Sequence, residues 1–153
     1  MKPTLIKKAC YIPYDAENVV LRIDPESPCK LPEYAKYALV YEDDNCLIKI
    51  KPDFISDGGS LPRLVWTLTG LTPYSVKCIQ GFLVHDALYG SHLLSQKKAD
   101  KILLNILCIE PRANLVQRQI VYWTLRAVGH HAYNGKTESQ IEQARKYVTV
   151  IEK

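Results

Sequence analysis

The chain has 153 residues, of which 47% are hydrophobic and 24% charged, and its formal net charge is +4. That length allows one domain with a substantial core, and the composition is that of a soluble globular protein. No apolar run is long enough to span a bilayer, no signal-peptide core opens the chain, and its cations are dispersed, so a membrane span, a secretory leader and specific nucleic-acid binding are not expected.

The first third alternates as strands do. Val19, Leu21 and Ile23 oppose Val20, Arg22 and Asp24; Tyr37, Leu39 and Tyr41 oppose Ala38, Val40 and Glu42; Cys46, Ile48 and Ile50 oppose Leu47, Lys49 and Lys51. This period of two predicts three strands. Asp43-Asp44-Asn45 is a hairpin turn, and the three prolines between Asp24 and Pro32 predict a loop.

After Phe54 the pattern turns helical. Ser56-Asp57-Gly58-Gly59-Ser60 reads as a turn, with Ser60 as the N-cap of a helix from Leu61 to about Thr69. An apolar helix from about Tyr74 to Tyr89 follows, ended by Gly90. Ser95 caps a second one from Gln96 to about Cys108. Further helices are expected from Asn114 to Val128, ended by Gly129, and from Thr137 to about Val148, opened by a capping pattern. The expected fold class is therefore α+β in one domain, 1–153. Residues 1–55 form a small antiparallel sheet, and 60–150 form a helical bundle around a central antiparallel hairpin.

The hairpin carries the pattern that looks like chemistry. His85 precedes the turn by about as many residues as Asp100 follows it, so both sit on the order of 7 Å from the loop on facing helices. That is the geometry of a His–Asp dyad. Asp100 shares a helical stripe with Leu103, Leu104 and Leu107, and a carboxylate in an apolar stripe is costly without a partner. Asp86 adds a second acid beside the His. Tyr89, one turn on, lies where its hydroxyl can reach the dyad. An imidazole titrating near 6.5 can take a proton from water, and a carboxylate on its far nitrogen fixes the tautomer. Asp86, with Asp57, can hold a divalent cation. Oxygen ligands favour calcium or magnesium, and zinc would need His85 as a ligand. A phosphohydrolase built on a His-Asp pair needs another His upstream, and none precedes His85.

Blander readings stand beside these. The His–Asp pair can be a satisfied core contact, and Asp57 can be a turn-stabilising residue. Ser60 reads as a cap rather than a nucleophile, His92 as an exposed loop residue, and His130-His131 as cations at a helix end. Arg118, Tyr122 and Arg126 form a stripe that reads as a solvated face. Trp66 and Trp123 read as core or interface anchors. Cys10, Cys29, Cys46, Cys78 and Cys108 are widely spaced with no Cys-x-x-Cys pair, so buried free thiols are expected.

From Pro52 to Asn134 the chain resembles a bacteriophage and prophage family, domain of unknown function 1353. Its signature elements match Phe54, Asp57, Ser60, Pro62 and Arg63, then His85, Asp86 and Tyr89, then Ala99 and Asp100, with Asp53 where a Gly usually precedes the Phe. This implies a phage setting: host cytoplasm during infection, or the virion, with phage structural or host proteins as partners. The helix around His85 is also similar to that of secreted phospholipases. That likeness implies His85 as the activator of water, Asp86 as calcium ligand, Asp100 as orienting acid and Tyr89 as its support. The half-cystines flanking the His in those enzymes are missing, and only Gly58-Gly59 remains of the calcium loop. Two functions stay open: a small hydrolase, metal-dependent or not, acting on an ester or cell-envelope bond, and a non-enzymatic virion or host-takeover protein.

Overall fold

A computed structural model describes residues 2–15, 20–26, 31–58, 61–72, 74–109 and 111–153. Strands β1 (Thr4–Lys7), β2 (Tyr11–Asp15), β3 (Val20–Ile23), β4 (Leu39–Glu42), β5 (Cys46–Ile50) and β6 (Ile55–Ser56) come first. Helices α1 (Arg63–Thr69), α2 (Ile79–Ser91), α3 (Gln96–Ile106), α4 (Leu115–Asn134) and α5 (Glu138–Arg145) follow, and β7 (Val148–Glu152) closes the chain. The α+β class is as expected. Val19, Cys29, Gly59 and Ser60, named above, lie outside the described residues.

Two antiparallel sheets form, one ordered β1-β4-β5-β7 and the other β2-β3-β6. The Asp43 turn holds the β4–β5 hairpin. Its carboxylate accepts the Asn45 and Cys46 amides at 2.8 and 2.9 Å and the Tyr41 hydroxyl at 2.7 Å. Along β5, Cys46, Ile48 and Ile50 are buried and alternate with half-buried Leu47 and Lys49, as a period of two requires. In β4, Leu39, Val40 and Tyr41 are all buried, so its alternation does not mark an exposed face.

Three expectations need correction. The last helix ends at Arg145, and the β-branched run from Val148 forms β7, which pairs with β5 (Ile48 opposite Val150). Helix α2 starts at Ile79 and passes through Gly90 to Ser91; His92 ends it in the left-handed region at φ 52°. Helix α4 runs through Gly129 to Asn134. At both glycines a neighbouring side chain comes close: an added β-carbon would lie 3.2 Å from the Ala144 β-carbon at Gly90 and 2.6 Å from the Tyr89 hydroxyl at Gly129. The N-caps fare better. Ser95 accepts the Lys98 amide, and Asn114 and Thr137 each form a full capping box.

Helix α2 is apolar all round and buried on nearly every side, between α3, α4, α5 and the strands β6 and β7. One apolar cluster joins it to the four-stranded sheet through Leu83, Val84, Ala87 and Leu88. A second joins its Phe82 to α1, α3 and α4 through Val65, Leu103, Val121 and Leu125. A side chain on α2 is thereby fixed from three directions.

Candidate active site

Phe82, His85, Asp86, Tyr89 and Gly90 recur on α2 at helical spacing and line one side of a cavity of about 640 Å³. Leu125, Val128, Gly129 and Ala132 of α4 form the second wall. Ser139, Gln140, Gln143 and Ala144 of α5 form the third, while Ser56, Asp57 and Lys136 close one end. The cavity is open to solvent, with apolar and hydrogen-bonding walls.

The dyad is formed. His85 Nε2 lies 2.9 Å from Asp100 Oδ1, and the two side chains are 4% and 0% exposed. The Tyr89 hydroxyl donates to the same oxygen at 2.6 Å, and its ring lies against the imidazole with centroids 3.9 Å apart. Arg126 donates to Asp100 Oδ2 at 2.7 Å. Arg126 therefore belongs to the site, not to a solvated stripe. Arg118 of the same stripe points its guanidinium at the Cys108 sulfur, 2.8 Å away.

Burial alone would raise the Asp100 pKa, but hydrogen bonds from His85, Tyr89 and Arg126 outweigh it and hold the carboxyl below its ordinary range. Burial pushes the His85 imidazole below its ordinary value, only partly countered by Asp100. Burial and the neighbouring carboxylate push the Tyr89 phenol up, so it stays a donor. At neutral pH the group is thus an ion pair, Arg126 with Asp100, holding a neutral imidazole. An ionised carboxylate only accepts, so the proton of the ring sits on Nε2 and the lone pair on Nδ1. Among the described residues Nδ1 has no hydrogen-bond partner.

Asp86 does not join this network. Its carboxyl is bonded to the Ser56 hydroxyl, and Ser56 in turn accepts the Gly58 amide at 3.0 Å. Burial and the charge of Asp57 raise the Asp86 pKa well above the ordinary range, against smaller opposing effects of Ser56 and Lys136. Asp57 and Asp86 form an acid pair at the cavity end, with Lys136 among the residues that line it. Among the described residues no group of three or more His, Cys, Asp or Glu side chains is placed to hold a metal.

The remaining candidates disperse. His92 stacks on Tyr133 at 4.1 Å and bonds its carbonyl at 2.8 Å, so it is a packed residue rather than a free loop one. His130 and His131 lie inside α4, not beyond it. Trp66 packs edge-on against Phe82, while Trp123 is exposed and is no core anchor. Cys46 and Cys78 are buried free thiols, but Cys10 and Cys108 are exposed. Sequence reading missed Arg126, Ser56 and Lys136. The four-residue spacing of the α4 stripe was the only signal for the first, and nothing local marked the other two.

The profile of the family described as protein of unknown function (DUF1353) matches residues 35–125, more than half of the chain. The chain belongs to this family. The DUF1353 match runs from just before β4 into α4 and contains Asp57, His85, Asp86, Tyr89 and Asp100. At Asp53, where the DUF1353 signature carries Gly, the backbone is left-handed at φ 66°, a conformation that favours Gly. No curated protein and no solved structure matches the chain. The likeness to secreted phospholipases is carried by neither comparison.

Proposed function

We propose that this DUF1353 protein is a hydrolase whose general base is His85. One observation carries the reading: the His85 imidazole, tied through Nε2 to a buried carboxylate, lines an open cavity. His85 Nδ1 takes a proton from water as the water oxygen attacks the carbonyl or phosphoryl centre of an ester or cell-envelope bond. Asp100 stabilises the imidazolium, which returns the proton to the leaving oxygen as its bond to that centre breaks. Arg126 and Tyr89 keep Asp100 ionised and aimed at the ring. The acid pair at the cavity end suits a proton or a hard cation, calcium or magnesium before zinc. Asp57, Asp86 and the Ser56 hydroxyl would hold such a cation, with water completing its shell. It would supply charge to offset negative charge developing on the substrate.

A panel of chromogenic carboxylic and phosphate esters, with purified peptidoglycan, tests this. Turnover should fall about 10²- to 10⁴-fold in His85→Asn with the fold intact. Full activity in that variant, or none from the wild type on any substrate, contradicts the reading.

The second reading, a non-enzymatic virion or host-takeover protein, is favoured by the burial of Asp100 and by its bonds to side chains of α2 and α4. In that case His85→Asn fails by melting early, with no turnover to lose.

A further inference from the structure

Helix α5 turns one stripe to the cavity, with Gln140, Gln143 and Ala144 at three- and four-residue spacing. Ala144 lies against Gly90 of α2, where an added β-carbon would be 3.2 Å from its own. Arg145 Nε donates to the Ser91 carbonyl at 2.9 Å. These contacts hold α5 against the end of α2.

Both glutamines on that stripe are oriented by their neighbours. The Gln140 side-chain oxygen accepts the Thr137 amide at 3.0 Å, and the Gln143 oxygen accepts the Lys146 ammonium at 2.9 Å. Backbone amides and ammonium groups only donate, so in each carboxamide the oxygen is the engaged end. Among the described residues neither side-chain nitrogen has an acceptor. Both amino ends are therefore left for a ligand, and what they require is an acceptor oxygen.

The α4 wall has the opposite character. Leu125, Val128 and Ala132 line it, and Val128 remains 44% exposed. Charge then separates two kinds of oxygen ligand. Lys136 is the single Lys or Arg among the lining residues, and it stands near the acid pair Asp57 and Asp86. A phosphate monoester would bring two negative charges to two carboxyls and one ammonium, with only neutral amides beyond them. A carbonyl oxygen is matched by neutral donors alone.

We propose that the cavity takes the acyl group of a carboxylic ester or amide. Its carbonyl oxygen meets the amino ends of Gln140 and Gln143, and its apolar chain lies along the α4 wall. This rests on the hydrolase reading for the bond that His85 attacks, and it names the substrate class of that site. Binding itself needs no turnover.

A methyl ketone carries the carbonyl and the chain but no bond to hydrolyse, so it separates binding from reaction. In a ¹H–¹⁵N titration of the whole protein, 2-heptanone should bind at least about tenfold tighter than acetone, which lacks the chain. It should also bind tighter than pentyl phosphate, in chelator and in magnesium alike, and shift the side-chain amide signals of Gln140 and Gln143. Gln143→Glu keeps an oxygen for Lys146 and removes the N–H donors. Because that side chain is exposed, the variant should melt as the wild type does and bind 2-heptanone about three- to tenfold more weakly. Val128→Thr should narrow the gap between 2-heptanone and acetone. Such binding without turnover of p-nitrophenyl hexanoate supports the acyl site and removes the hydrolase. No binding of the ketone, binding untouched by Gln143→Glu, or tighter binding of pentyl phosphate overturns the proposal, even where a phosphate ester is turned over.

Discussion

Gly129 of α4 lies directly against the hydroxyl of Tyr89 on α2, so closely that a β-carbon there would sit 2.6 Å from that oxygen. The same hydroxyl is held 2.6 Å from Asp100 Oδ1 and has little room to move. The absence of one methyl group on α4 is what lets the phenol reach the carboxylate.

Gly129→Ala should therefore destabilise the protein by about 1 to 3 kcal/mol through overpacking. At an unconstrained helical site the same change stabilises by roughly 0.5 to 1 kcal/mol. Urea unfolding gives the sign. Adding Tyr89→Phe removes the obstructing oxygen, so the double variant should be more stable than the two single effects summed.

Arg126→Ala should cost roughly 2 kcal/mol, below the usual figure for breaking a buried pair because the arginine is partly exposed and solvent-screened. Its side chain is 29% exposed while Asp100 is fully buried, so the loss falls on a carboxylate left without its counter-charge. Arg126→Lys keeps the charge and should recover part of the loss. Thermal melts of the three proteins at one ionic strength check the order.

Asp86 sets a pH dependence whose sign is opposite to that of an ion-paired carboxylate. Its folded pKa is raised, chiefly by burial and next by Asp57. Between the unfolded value of about 4 and the folded value the native state holds the extra proton, so stability falls as pH rises through that window. Asp86→Asn removes the titration. Its melting temperature relative to wild type should climb from acid toward neutral pH in chelator, while turnover is lost. Calcium or magnesium should raise the melting temperature of the wild type but not of this variant. A difference between the two proteins that stays flat with pH contradicts the assignment.

The dyad was legible because it depends on local rules. A capped hairpin fixes the level of facing residues, and Ser95 caps α3 where its sequence says it should. What depends on distant packing was not legible. Arg126 reaches Asp100 across 26 residues of chain, and only the packing of α4 on α3 decides which way that stripe faces. Gly90 and Gly129 carry the composition of helix ends, yet both lie inside helices, where close contacts with Ala144 and Tyr89 leave little room for a side chain. The closing strand has a signal, the β-branched run Val148-Thr149-Val150-Ile151, which begins where the expected last helix ends.

The tautomer of His85 tests the central claim most directly. A long-range ¹H–¹⁵N spectrum near pH 7 of protein carrying ¹⁵N-histidine, with His85 assigned by its loss in His85→Asn, reports which nitrogen bears the proton. The ion-paired Asp100 predicts a neutral ring protonated on Nε2, with Nδ1 unprotonated. A ring protonated on Nδ1, or an imidazolium at that pH, would contradict it.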